Sequence, residues 1–128
     1  MKYYFFELLA CPMCRSPNLK LYAIEESEED VEVDVEKVRC KRYCSLFDRR
    51  AVTVPTRVCS SLCVKRRIDT GVIVCVNCGR WYPIVKGIPV MLDDKYRDES
   101  KDREFVEKYL EKIPDNVRVY MRIPSLNM

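Results

Sequence analysis

The chain has no histidine, no glutamine, three glycines and one tryptophan among its 128 residues. Without histidine there is no imidazole base and no common metal-water catalytic site. Three glycines could hardly build a phosphate loop, a dinucleotide fingerprint or a Gly-x-Ser-x-Gly elbow, and none of these motifs occurs. No stretch approaches the roughly 20 apolar residues of a membrane span. The apolar run Tyr3-Tyr-Phe-Phe6 stops at Glu7, too short for a signal peptide. These absences lead us to expect a cytoplasmic, non-catalytic binding or scaffold protein without membrane contact. Scarce thermolabile residues beside abundant Lys, Arg and Glu lean towards a thermophilic source.

Cysteine, by contrast, is plentiful, with eight in the chain. Cys11-Pro-Met-Cys14 and Cys75-Val-Asn-Cys78 each place two thiols two residues apart, a spacing that turns both sulfurs onto one ion. Two such pairs complete a tetrahedral four-thiolate site, for which one structural zinc is the usual occupant. Gly79 after the second pair suits a tight knuckle turn. A site of this kind supplies about 10–16 kcal/mol of apparent folding free energy, which matters in a chain with a modest core. Sixty residues separate Cys14 from Cys75, so a folded insertion is expected between the two halves.

Charge is unevenly spread. Residues 25–36 carry eight acids and no base, whereas residues 37–69 carry ten bases against Asp48 and Asp69. Val31, Val33 and Val35 alternate with acids, a strand pattern, as do Leu19, Leu21 and Ala23 with polar or larger residues. The period then changes. Cys40, Tyr43, Cys44 and Phe47 lie at i, i+3, i+4 and i+7, and Val58, Cys59, Leu62 and Cys63 repeat the stripe, so residues 36–69 read as a helical hairpin. Antiparallel helices would pair Cys40 with Cys63 and Cys44 with Cys59. Disulfides at those pairs, free buried thiols and a second metal site all remain open. The basic block reads either as a solvated face or as a surface towards nucleic acid.

Val72-Ile-Val74 reads as a short strand into the second knuckle, and two apolar strands about Lys86-Gly87 read as a hairpin, its prolines marking edge strands or bulges. Beyond a charged linker, Ser100 is a candidate N-cap for a helix with the apolar stripe Phe105, Val106, Tyr109, Leu110 and Ile113. Val117, Val119, Met121 and Ile123 alternate with polar or larger residues and read as a terminal strand. The expected fold class is α+β, a zinc-ribbon-like small β domain with an inserted helical hairpin and a C-terminal helix and strand. Its parts are residues 1–24 plus 71–94 for the zinc-binding domain, 25–70 for the insertion and 95–128 for the extension.

Three blocks, Leu8-Leu-Ala-Cys-Pro-Met-Cys14, Cys75-Val-Asn-Cys-Gly-Arg-Trp-Tyr-Pro-Ile84 and Gly87-Ile-Pro-Val-Met-Leu92, resemble in order the small zinc-binding activator subunit of S-adenosylmethionine-dependent methyltransferases. The insertion resembles the longer archaeal and eukaryote-like members of that family. The resemblance implies a non-catalytic, heterodimeric partner of class I methyltransferases acting on tRNA, rRNA or translation factors. It implies zinc ligands at Cys11, Cys14, Cys75 and Cys78, and partner docking at Pro83, Ile84, Ile88, Pro89, Val90, Met91 and Leu92. The twin Cys-x3-Cys segment is not a family hallmark, and the tail is longer than the family leads one to expect. The rival readings are a stand-alone zinc-ribbon RNA-binding protein and a rubredoxin-like iron protein. In the activator reading, the basic hairpin could still help an attached enzyme hold RNA.

Overall fold

The computed structural model describes residues 1–29, 34, 40–55, 58–59 and 62–121. Its frame is an antiparallel sheet of β1 (Leu19–Glu28), β4 (Arg66–Cys75), β5 (Trp81–Val85) and β6 (Ile88–Pro89), in that order, beside a small pair of β2 (Tyr43–Cys44) and β3 (Arg49–Arg50). In β4 every residue from 70 to 75 is buried, as an unbroken apolar run requires when both faces of a strand are covered. On one face Ile73 and Cys75 pack with Tyr82, Ile84, Leu19 and the N-terminal 3₁₀ turn Tyr3–Leu8. On the other, Val72 and Val74 pack with Trp81, Phe105 and Val106. Gly71 sits where β1 and β4 approach closely, since a Cβ there would lie 2.8 Å from the Tyr22 carbonyl oxygen.

The second face is covered by the C-terminal segment, made of helix α1 (Glu99–Tyr109), a 3₁₀ turn and helix α2 (Asp115–Arg118). Asp98, not Ser100, caps α1. Its carboxylate accepts from the Ser100 and Lys101 N–H groups at 2.9 and 3.4 Å, and its negative charge suits the helix N-terminus. Of the expected stripe, Phe105, Val106 and Ile113 are buried, while the shift to 3₁₀ geometry leaves Leu110 exposed. The expected terminal strand is not formed at residues 115–121. Val117 and Met121 are buried and Val119 is exposed, because the chain coils there, with the Val119 N–H bonding the Asp115 carbonyl. Residues spaced by four serve a helical turn as readily as a strand. Ile123 lies outside the described residues.

The helical hairpin expected over residues 36–69 is corrected at residues 43–50, while residues 36–39, 56–57 and 60–61 lie outside the described residues. Tyr43 and Cys44 pair with Arg50 and Arg49, and Asp48, at φ 52°, closes the turn and accepts from the Tyr43 hydroxyl. The second arm keeps one helical turn, with the Leu62 N–H bonding the Val58 carbonyl at 3.0 Å. It then passes through the 3₁₀ turn Cys63–Lys65 into β4, which begins with the basic residues Arg66 and Arg67. The Val31–Val35 alternation falls mostly outside the described residues.

A remote carboxylate explains why the first arm leaves the helical path. Glu7 accepts from the N–H groups of Lys41, Arg42 and Tyr43 at 2.8, 3.0 and 3.2 Å, removing these donors from any local ladder. Burial alone would raise the Glu7 pKa, but the three N–H bonds outweigh it and hold the carboxyl below its ordinary value. A depressed pKa makes this contribution full above the free carboxyl's range, and it fades as pH falls through the folded value. Glu7→Ala should cost about 1–3 kcal/mol. Amide exchange at residues 41–43 should then run roughly ten- to a hundredfold faster near neutrality. Unchanged exchange would show that the β2–β3 hairpin stands without Glu7.

Candidate metal centre and docking edge

The two knuckles share one backbone plan. In the first, the Arg15 N–H bonds the Cys11 carbonyl at 2.7 Å and the Cys11 N–H bonds the Ser16 carbonyl at 2.9 Å. In the second, the Gly79 N–H bonds the Cys75 carbonyl at 2.9 Å and the Cys75 N–H bonds the Arg80 carbonyl at 2.7 Å. Each turn closes on a left-handed residue, Arg15 at φ 64° and Gly79 at φ 81°. The second has the residue type suited to that conformation, while the first accepts the cost of a side chain there.

This plan brings all four sulfurs within 4.8 Å of one another. Cys11 and Cys78 are 3.6 Å apart and Cys14 and Cys75 are 3.5 Å apart, close to the ~3.8 Å edge of a tetrahedron with 2.3 Å metal–sulfur bonds. The arrangement can hold one metal ion. An Asn77 side-chain hydrogen bond, with help from the Ser16 N–H, pulls the Cys14 thiol down to about 6. Burial opposes ionisation of Cys11, but the Tyr82 hydroxyl, 3.1 Å from its sulfur, and two knuckle N–H groups bring its pKa below the ordinary value. Burial pushes Cys75 up to about 12, and a bound cation would take the place of its proton. Arg80, held by two-pronged contacts of 2.8–3.1 Å to Asp94, also sits against the Cys78 sulfur. It offsets the surplus negative charge of a four-thiolate complex.

The residues read as a docking face divide in two. Pro83 and Ile84 are buried, and Ile84 is part of the chain's own core. Ile88 and Leu92 are 64% and 40% exposed, with Pro89, Val90 and Met91 half-buried between them. Only Ile88 and Pro89 of this stretch are in strand β6, which ends the sheet. Pro83 lies in β5, between β4 and β6, and not in an edge strand. Its carbonyl accepts from the Val90 N–H at 2.8 Å, so its missing N–H faces the short β6 side and not the β4 ladder. Two residues were missed by the sequence reading. Val85 and Tyr96 are exposed and line, with Val90, Leu92 and Phe105, a groove of about 330 Å³. A lone aromatic within the charged linker was the available signal for Tyr96.

A four-thiol knuckle pair on a small antiparallel sheet, backed by helices, makes this a zinc-ribbon-like α+β protein. The chain belongs to the family described as Trm112p-like protein, whose profile matches residues 2–87, in agreement with the resemblance read from the three sequence blocks. That span includes both knuckles and ends before α1. Among solved structures, the chain is similar to one in the E. cuniculi Mtq2-Trm112 complex, described as responsible for methylation of the eRF1 translation termination factor. The identity is 21% and the TM-score 0.53, covering 73% of this chain and 96% of the other. No curated protein matches the sequence. Among the described residues, no helix is long and apolar enough to cross a membrane.

Proposed function

We propose that this chain is a non-catalytic partner subunit that activates and stabilises class I S-adenosylmethionine-dependent methyltransferases acting on tRNA, rRNA or translation factors. The observation that carries the reading is the exposed apolar edge, Val85, Ile88 and Leu92 with Tyr96, at the open end of the sheet in a Trm112p-like chain. The similar solved chain, itself part of a methyltransferase complex, supports it. Docking proceeds by addition of β6 and the following extended residues to an edge of the enzyme's sheet. Main-chain hydrogen bonds give affinity, and Ile88, Val90 and Leu92 fill pockets. Cys11, Cys14, Cys75 and Cys78 would hold one zinc ion that ties the knuckles together at the β4–β5 connection on which this edge depends. Four thiolates would fill the coordination sphere and leave no open position for chemistry. The setting is the reducing cytoplasm.

Arg49 and Arg50, exposed on β3, support an added contact between the basic insert and the enzyme's RNA substrate. Arg67 is less available, paired with Glu29 and Asp69 at 3.2 Å each. A pull-down in high salt tests the main reading, since salt strips charge-mediated RNA contacts and spares an apolar interface. Methyltransferases recovered in equal amount with this chain are the expected result. Their absence, with RNA retained only at low salt, would replace the activator reading with stand-alone RNA binding.

A further inference from the structure

Four cysteines remain outside the knuckles, and the fold gathers them. Cys40 precedes β2, Cys44 lies in it, Cys59 belongs to the helical turn and Cys63 opens the following 3₁₀ turn. All four line a single cavity of about 20 Å³, closed by residues including Tyr4 and Val54. The space suits a particle of about water size. Cys40 also lies within electrostatic range of Cys44, Cys59 and Cys63, and Cys63 within range of Cys44 and Cys59. Burial pushes the Cys40 and Cys63 thiols above the ordinary thiol range.

A disulfide ladder drew its pairing from two antiparallel helices, and the first of these is a β-hairpin. A single centre, in contrast, accepts four ligands from four different turns. Plain apolar packing leaves a void among the sulfurs and forfeits dispersion contacts there. Among its described residues the surrounding insert has one two-residue strand pair and short turns, a frame that a metal staple would reinforce.

We propose that Cys40, Cys44, Cys59 and Cys63 form a second four-thiolate site for one thiophilic divalent ion of the zinc class. Loading exchanges four thiol protons for the ion and releases them to solvent. The Tyr4 N–H faces the Cys63 sulfur, and the Lys2 ammonium lies near enough to favour its thiolate. Among the described residues only the knuckle cysteines already stand as a group close enough to hold an ion. Loading of the second site would have to draw its four sulfurs closer together around the ion. The inference is independent of the methyltransferase reading.

Native mass spectrometry and elemental zinc analysis of the full chain test the proposal. Two zinc ions per wild-type chain are expected, falling to one in Cys40→Ser/Cys59→Ser, which alters the two half-exposed ligands. Cobalt(II) titration should show sulfur-to-cobalt charge-transfer absorption saturating at two equivalents, and at one in the variant. One zinc per wild-type chain, with the four thiols open to alkylation, would overturn the proposal in favour of simple apolar thiols. One zinc with a mass lighter by four hydrogens would overturn it in favour of two disulfides. The wild-type measurement decides the matter even if the variant does not fold.

Discussion

Replacing Cys75 and Cys78 together by serine removes the knuckle metal and, with it, the cooperative melt of the sheet. The two residues supply half the ligands, and Cys75 lies at the end of the central strand with none of its surface exposed. A structural four-thiolate zinc contributes about 10–16 kcal/mol of apparent folding free energy. A whole domain of this size is stable by only roughly 5–15 kcal/mol. The folded state cannot absorb that loss through its remaining packing. Circular dichroism melts and solubility of the variant check the claim, with a chelator-treated wild-type chain as the matching metal-removal experiment. A variant that kept a sharp melt and full solubility would show that the metal is dispensable for the fold.

Ile88→Asp with Leu92→Asp should weaken methyltransferase binding by at least about a hundredfold, since central apolar anchors of an interface are worth ~2 kcal/mol or more each. Metal content and melting temperature should stay as in the wild type, because both side chains already face solvent. Ile84→Asp provides the contrast. Ile84 is completely buried in the core, so an unpaired charge there should unfold the chain and lose binding only indirectly. Titration calorimetry on the two variants separates a contact from a scaffold effect. Unchanged affinity in Ile88→Asp/Leu92→Asp would move the interface away from this edge.

The four-cysteine cluster was legible in the sequence because Cys-x2-Cys carries its geometry locally. The spacing sets the knuckle, and each closing residue, Arg15 or Gly79, is its immediate neighbour. The unbroken Val72-Ile-Val74 run was likewise readable as strand, as was the hairpin about Gly87. The insert was misread for a physical reason. The stripe of its first arm, Cys40, Tyr43, Cys44 and Phe47, is built from cysteines and aromatics, which serve strands as well as helices. The deciding groups, the Glu7 carboxylate and the turn at Asp48, lie outside the periodicity. Val117 and Met121 posed the same ambiguity in the tail. Nor could pattern alone separate Ile84, inside the core, from Ile88, outside it; that depends on where the sheet stops.

Trp81 and Tyr82 are neighbours on β5 that serve opposite sides of the sheet. The Tyr82 hydroxyl touches the Cys11 sulfur at 3.1 Å. The Trp81 ring stacks on Phe105 of α1 at 5.9 Å, with the Arg97 guanidinium 4.8 Å over its face. Because Trp81 is the only indole in the chain, its fluorescence reports one event, the seating of the C-terminal helix on the back of the sheet. The adjoining peptide makes that seating mechanically answerable to the knuckles, so the protein carries its own optical gauge of how firmly its two layers are joined.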